Sequence, residues 1–130
     1  MTLATDEGTL EALGSAVERL VYEALVKIGL VPGVDFTWQS AFFGGRLDKG
    51  GLIIDFLFEN PPGLAFSVLG RYWHYERGPE QRAIDLLQRV QMAGQGITLI
   101  FLDEDDVIAD ADSVVRAALN FEDRSELARG

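Results

Sequence analysis

GRLDKGGLIIDFLFENPPGLAFSVLGRYWHY, residues 45–75, decides the reading of the chain. Leu52 to Phe58 is almost wholly apolar and β-prone, and Asp55 interrupts it where a carboxylate is costly to bury without a metal, a donor or water. Asn60-Pro61-Pro62-Gly63 is turn chemistry. Leu64 to Leu69 is a second apolar strand, which Gly70 ends before the polar aromatic segment Tyr72-Trp73-His74-Tyr75. The expectation is two adjacent antiparallel buried strands, the first carrying one acid.

Outward from that stretch, Leu10, Leu13, Val17, Leu20, Val21, Leu25 and Ile28 recur at helical spacing, and Gly29 is placed to end a helix over Thr9 to Ile28. On its wheel Glu18 falls at the border of the apolar stripe, able to look inward, while Arg19 points away. Val34 to Ser40 reads as a first strand, and the glycines at 44, 45, 50 and 51 bracket a hairpin. Gly78-Pro79 opens a second helix whose buried stripe is expected at Ala83, Leu86, Leu87, Val90 and Ala93. Gly94 and Gly96 close it before a fourth strand over Ile97 to Leu102. Asp112 or Ser113 is placed to cap a last short helix through Leu119, and Glu122 to Gly130 is expected to fray. The order α, β, β, β, α, β predicts an α/β fold with a mixed central sheet of about four strands flanked by helices.

With 130 residues, 48% of them hydrophobic, the chain suits one core, so a single domain over residues 1–121 with a short tail over 122–130 is expected. The absence of cysteine excludes a disulfide framework and thiolate metal sites. The acidic opening lacks signal-peptide regions, and no apolar run approaches the roughly 20 residues that span a bilayer. A cytoplasmic protein without a membrane partner is the expectation. A net charge of −10 argues against a general DNA-coating role. Between Arg46 and Arg89, however, Arg46, Lys49, Arg71, Arg77, Arg82 and Arg89 balance Asp48, Asp55, Glu59, Glu76, Glu80 and Asp85, so the acidic excess lies outside that segment. The acidic C-terminal third reads as a solvated surface or a face for a basic partner.

In order and spacing, four pieces together resemble the PD-(D/E)XK, or restriction-endonuclease-like, superfamily, and in particular very-short-patch repair endonucleases and their small relatives. Ser15-Ala16-Val17-Glu18-Arg19-Leu20-Val21-Tyr22-Glu23-Ala24-Leu25 is similar to the family's first helix, and Ile54-Asp55-Phe56 resembles its metal-binding strand. Leu64 to His74 resembles the next strand and the histidine-bearing segment after it. Arg82 to Asp85, continuing to Gly96-Ile97-Thr98-Leu99, resembles the helix and final strand. The match spans about residues 16 to 108.

The resemblance implies phosphodiester hydrolysis with Mg²⁺, which stabilises charge on the transferring phosphoryl group and activates water. It makes Asp55 a metal ligand, the main-chain carbonyl of Val68 another, Glu18 a ligand through water, and His74 a general base or phosphate contact. Trp73 would stack on or wedge between bases, and Arg46, Arg71 and Arg82 would meet the backbone of DNA. The family's acid and lysine, two residues apart on the second strand, are here Ser67 and Leu69, and Lys49 on the hairpin is the candidate replacement cation. Each residue also has a plainer reading: Asp55 as a hydrogen-bonded structural acid, Glu18 as a helix-surface glutamate, His74 as a structural or surface histidine, Trp73 and its tyrosine neighbours as packing. Two functions follow: a Mg²⁺-dependent DNA endonuclease or nicking enzyme with weakened or absent activity, or a catalytically inactive nuclease-fold module that binds a protein partner or its own copy, for instance in a phage particle. A metabolic enzyme is unsupported, because no glycine loop is placed to cradle phosphate and no zinc-ligand spacing occurs.

Overall fold

The structure is a computed structural model that describes residues 6–38, 47–49, 52–70 and 79–129. Its elements are α1 (Asp6–Ile28), β1 (Phe36–Trp38), β2 (Leu47–Lys49), β3 (Leu52–Ile54), β4 (Phe56–Phe58), β5 (Leu64–Leu69), α2 (Pro79–Ala93), β6 (Thr98–Asp103), α3 (Glu104–Leu119) and α4 (Glu126–Arg129). A four-stranded sheet runs β1-β4-β5-β6, and β2 and β3 form a separate antiparallel pair. The first two pairings of the larger sheet are antiparallel and β5 with β6 is parallel, so the mixed α/β fold expected from the sequence is the one observed.

The near-continuous apolar runs of β5 and β6 are explained by burial on both faces. Leu64, Phe66, Val68, Ile100 and Leu102 join Val17, Val21 and Leu25 of α1 and Val107 and Val115 of α3 in one core. The alternate residues Ala65, Leu69, Leu99 and Phe101 pack with Ile54, Met92 and Leu127 in a second core. An aromatic row, Tyr22, Phe36, Trp38, Phe56, Phe58 and Phe66, fills the first core with ring centroids between 4.6 and 6.3 Å apart. Two turns close tightly beneath the sheet: Gly63, at φ +75°, would put a Cβ 3.0 Å from the carbonyl oxygen of Gly96.

The structure departs from the sequence reading at five points. Leu52 to Phe58 is not one strand, because Asp55 bends it and hands β3 to β2 while β4 stays between β1 and β5. The first strand starts at Phe36, since Val31 to Asp35 closes into a turn in which the Val31 N–H donates to Asp35 Oδ2 at 2.7 Å. Residues 39 and 40 of that expected strand lie outside the described residues. The last long helix follows β6 directly, with Glu104, Asp105 and Asp106 at its positive N-terminal end. It kinks at Asp110, whose carboxylate, rather than Asp112 or Ser113, caps the second half by accepting from the Ser113 N–H at 3.1 Å.

The fourth departure is in α2, which is rotated by roughly a third of a turn from the expected orientation. Asp85 and Met92 are buried and Leu86 and Arg89 partly so, whereas Ile84, Leu87 and Val90 are 48, 57 and 66% exposed. Arg89 fixes this rotation by stacking over Phe101 and meeting Asp123 at 3.4 Å. The fifth is the tail, expected to fray and found docked on β6: Ser125 and Leu127 are buried, the Phe101 N–H donates to Asp123 Oδ2 at 3.0 Å, and the Glu126 N–H donates to Asp103 Oδ2 at 2.8 Å.

At the end of α3 the Phe121 N–H donates to the Ala118 carbonyl and the Glu122 N–H to that of Ala117, a Schellman closure with Phe121 at its left-handed position, φ +65°. That conformation favours glycine and costs a side-chain-bearing residue about 1 to 2 kcal/mol. Phe121→Gly is therefore expected to raise stability in urea denaturation by about 1 kcal/mol, and a loss would show that the ring's contacts outweigh the strain. In the core, Phe66→Ala is expected to cost about 3 to 5 kcal/mol by the same measurement, and a loss near zero would contradict its placement between the sheet and α1.

Candidate functional site

Asp55 is fully buried at the bend between β3 and β4. The β4–β5 register, Phe56 opposite Phe66 and Leu57 opposite Ala65, would if continued bring Ile54 opposite Val68. The bend prevents this, and the side chain supplies what the backbone no longer can. Asp55 N–H still donates to the Phe66 carbonyl at 3.0 Å, and Asp55 Oδ2 accepts the Val68 N–H at 2.7 Å. A buried main-chain donor thus keeps a partner, and a buried carboxylate is stabilised by a short charge-assisted bond.

Glu18 is also turned inward, as its place on the α1 wheel allowed. Its Oε1 accepts the indole N–H of Trp38 at 2.8 Å in a buried contact. Trp38 stacks on Phe56, the neighbour of Asp55, with ring planes 10° apart, and the Arg19 guanidinium lies 5.7 Å from the Trp38 ring centroid. The two acids expected to share a metal are therefore linked through Trp38 and Phe56, each with a protein donor. Among the described residues no three histidine, aspartate or glutamate side chains gather closely enough to hold a metal ion.

The remaining expected site residues divide into placed and undescribed ones. Val68 is in β5, and its contribution to Asp55 is its N–H. Ser67 and Leu69, at the positions of the family's acid and lysine, are both buried, Leu69 within the second core. Arg82 is exposed on α2. Lys49 belongs to β2 by its backbone, and its side chain lies outside the description, as do Arg46, Arg71, Trp73 and His74 entirely.

Residues that were not singled out in the sequence carry much of the buried polar structure. Asp123 binds Phe101 N–H, Ser125 N–H and Arg89, and Asp103 holds the start of α4. Among the described residues, a surface groove of about 470 Å³ surrounds Asp110, Arg116 and Arg124, and one of about 320 Å³ lies along β6 beside Arg89 and Phe121. Neither has Asp55, Glu18 or Val68 in its described lining.

No family model matches the chain, and no curated protein or solved structure does. Among the described residues no helix is long and apolar enough to cross a membrane.

The Asp55 contact sets a graded expectation. Asp55→Ala strands the buried Val68 N–H and is expected to cost about 1 to 3 kcal/mol, whereas Asp55→Asn keeps a carbonyl acceptor and loses less. Chemical denaturation of the two variants measures this. An alanine variant as stable as the wild type would mean that the carboxylate is held under strain for another purpose.

Proposed function

We propose that the chain is an interaction module on a nuclease-like α/β frame, with its core acids in structural use and no robust catalysis of its own. The outward line of α2 carries this reading. That helix sends Asp85 and Arg89 toward the sheet and holds Ile84, Leu87 and Val90 in solvent, an arrangement that raises the free energy of an isolated chain and is relieved when a protein partner covers the face. The resemblance to restriction-endonuclease-like proteins supports the frame through the succession α1, β1, β4, β5, α2, β6 and the mixed sheet. Against the hydrolytic alternative stand buried Leu69 and Ser67 where the family has its lysine and acid, and the protein donors already bound to Asp55 and Glu18. Mg²⁺ prefers several anionic oxygens and dehydrates reluctantly, so a single carboxylate already engaged by the Val68 N–H is a poor anchor for it.

Purified protein incubated with Mg²⁺ or Mn²⁺ and duplex, mismatched, branched or single-stranded DNA is expected to leave every substrate intact. Cutting that Asp55→Asn abolishes would overturn the proposal in favour of a metal-dependent nuclease. In parallel, Leu87→Glu combined with Val90→Glu is expected to lower binding of an apolar fluorescent dye while shifting stability by only about 0.5 kcal/mol per site, as for exposed positions. A loss of several kcal/mol would place that stripe in the core.

A further inference from the structure

We infer that the outward face of α2 is a docking surface for a second copy of this chain, the two helices packing antiparallel about a two-fold axis at Leu87. The inference rests on the interaction-module reading and names the partner for that same face. Asp85 and Met92 are buried, and Arg89 reaches in to Asp123. At about 100° per residue Leu87 lies opposite these three, in the middle of the outward face. Glu80, Ala83 and Ile84 precede it by seven, four and three positions, and Val90, Gln91 and Gly94 follow it by three, four and seven. All of them fall within about 60° of Leu87 on the wheel, and all are exposed. Gly94 continues the helical spacing, since its N–H still donates to the Val90 carbonyl at 3.1 Å.

A closed two-fold contact needs a patch that is complementary to itself. This stripe reads the same from either end. Turned antiparallel on a second copy, it sets Leu87 against Leu87, brings Ala83 and Ile84 of one chain level with Gln91 and Val90 of the other, and lays Glu80 beside Gly94. Charge selects both the occupant and the direction. Glu80, at one end, is the ionised side chain of the stripe, and in the helix as a whole Glu80 and Asp85 balance Arg82 and Arg89, so the net −10 of the chain lies elsewhere. A strongly charged partner finds no row of opposite charge here, whereas a second copy presents the same apolar and nearly neutral surface. Parallel pairing would set Glu80 beside its own copy. Antiparallel pairing holds the two about 21 Å apart, well beyond the roughly 8 to 10 Å over which salt screens exposed charges. Area sets the strength: about four turns of one helix, roughly 22 Å long and 10 Å across, offer less than the roughly 800 Å² per partner of a standard interface. The pair is therefore weak, forms as concentration rises, and leaves the face open to a dye in dilute solution.

Sedimentation equilibrium of the full chain, from micromolar to millimolar concentration, is expected to show a monomer–dimer equilibrium. It should tighten severalfold with added salt, as screening relieves the repulsion between two acidic chains. Because Leu87 meets its own copy on the axis, Leu87→Glu and Leu87→Lys are each expected to weaken dimerisation at least tenfold, and an equimolar mixture of the two is expected to restore it. The chain has no cysteine, so Ala83→Cys and Gln91→Cys report direction: under mild oxidation their mixture is expected to cross-link at least fivefold faster than either variant alone. A wild type that stays monomeric throughout overturns the inference, and if its dye binding still falls in the Leu87→Glu, Val90→Glu double variant the module reading stands with another partner. A dimer that both Leu87 variants retain, or a mixture of them that does not associate, overturns the axis at Leu87. Faster cross-linking within either cysteine variant than in the mixture overturns the antiparallel direction. Urea midpoints that collapse in both Leu87 variants place that residue in the core and overturn the face itself. Metal-dependent DNA cutting removes the module reading and is read independently of association.

Discussion

A strand that changes partners leaves buried backbone groups to satisfy, and here one side chain meets that requirement. Asp55 sits where the chain passes from the β2–β3 pair into the main sheet, and its carboxylate takes the Val68 N–H that the interrupted ladder leaves behind. Burial of an amide donor without a partner costs about as much as one or two ordinary hydrogen bonds contribute. The contact sits at the bend that separates β3 from β4 and ties that bend to β5. The same dependence explains why an aspartate is tolerated in the middle of an apolar run: short, anionic and able to reach a neighbouring strand, it acts as a displaced carbonyl.

Glu18 and Trp38 repeat the logic one layer out. The indole ring belongs to the aromatic row of the first core, its N–H needs an acceptor, and α1 provides one from the edge of its apolar stripe. On the opposite face the tail performs an equivalent service for β6. Asp123 covers an outward N–H and holds Arg89, so α2 is drawn in by its polar line and left with apolar side chains outside. Satisfying polar groups in the interior has thus set which surfaces remain apolar.

The sequence made the large regularities readable. Helical spacing located α1, Gly78-Pro79 and Gly94 bounded α2, and the runs at Leu64 and Ile97 marked the paired strands β5 and β6. The need of Asp55 for compensation was legible too, but not the compensating group, because a backbone N–H leaves no mark in residue identity. The rotation of α2 was hidden for a similar reason. Its periodicity reveals an apolar line, whereas the choice of inward face is made by Asp123, which lies 34 residues beyond Arg89. The docked tail was missed because its short polar segment has no periodicity, and its anchors, Asp123 and Asp103, look in sequence like surface acids. Glu18 was marked as an acid able to face inward, but its partner, 20 residues away on a short strand, could not be read from spacing.

The central claim is that Asp55 serves the sheet and not a metal, and the amide of Val68 reports on it directly. Hydrogen exchange and ¹⁵N chemical shift of that one amide should show strong protection in the wild type, marked loss of protection in Asp55→Ala, and no response to millimolar Mg²⁺. A Val68 amide that exchanges freely in the wild type, or that moves saturably with Mg²⁺ while Asp55→Asn abolishes the movement, would contradict the account.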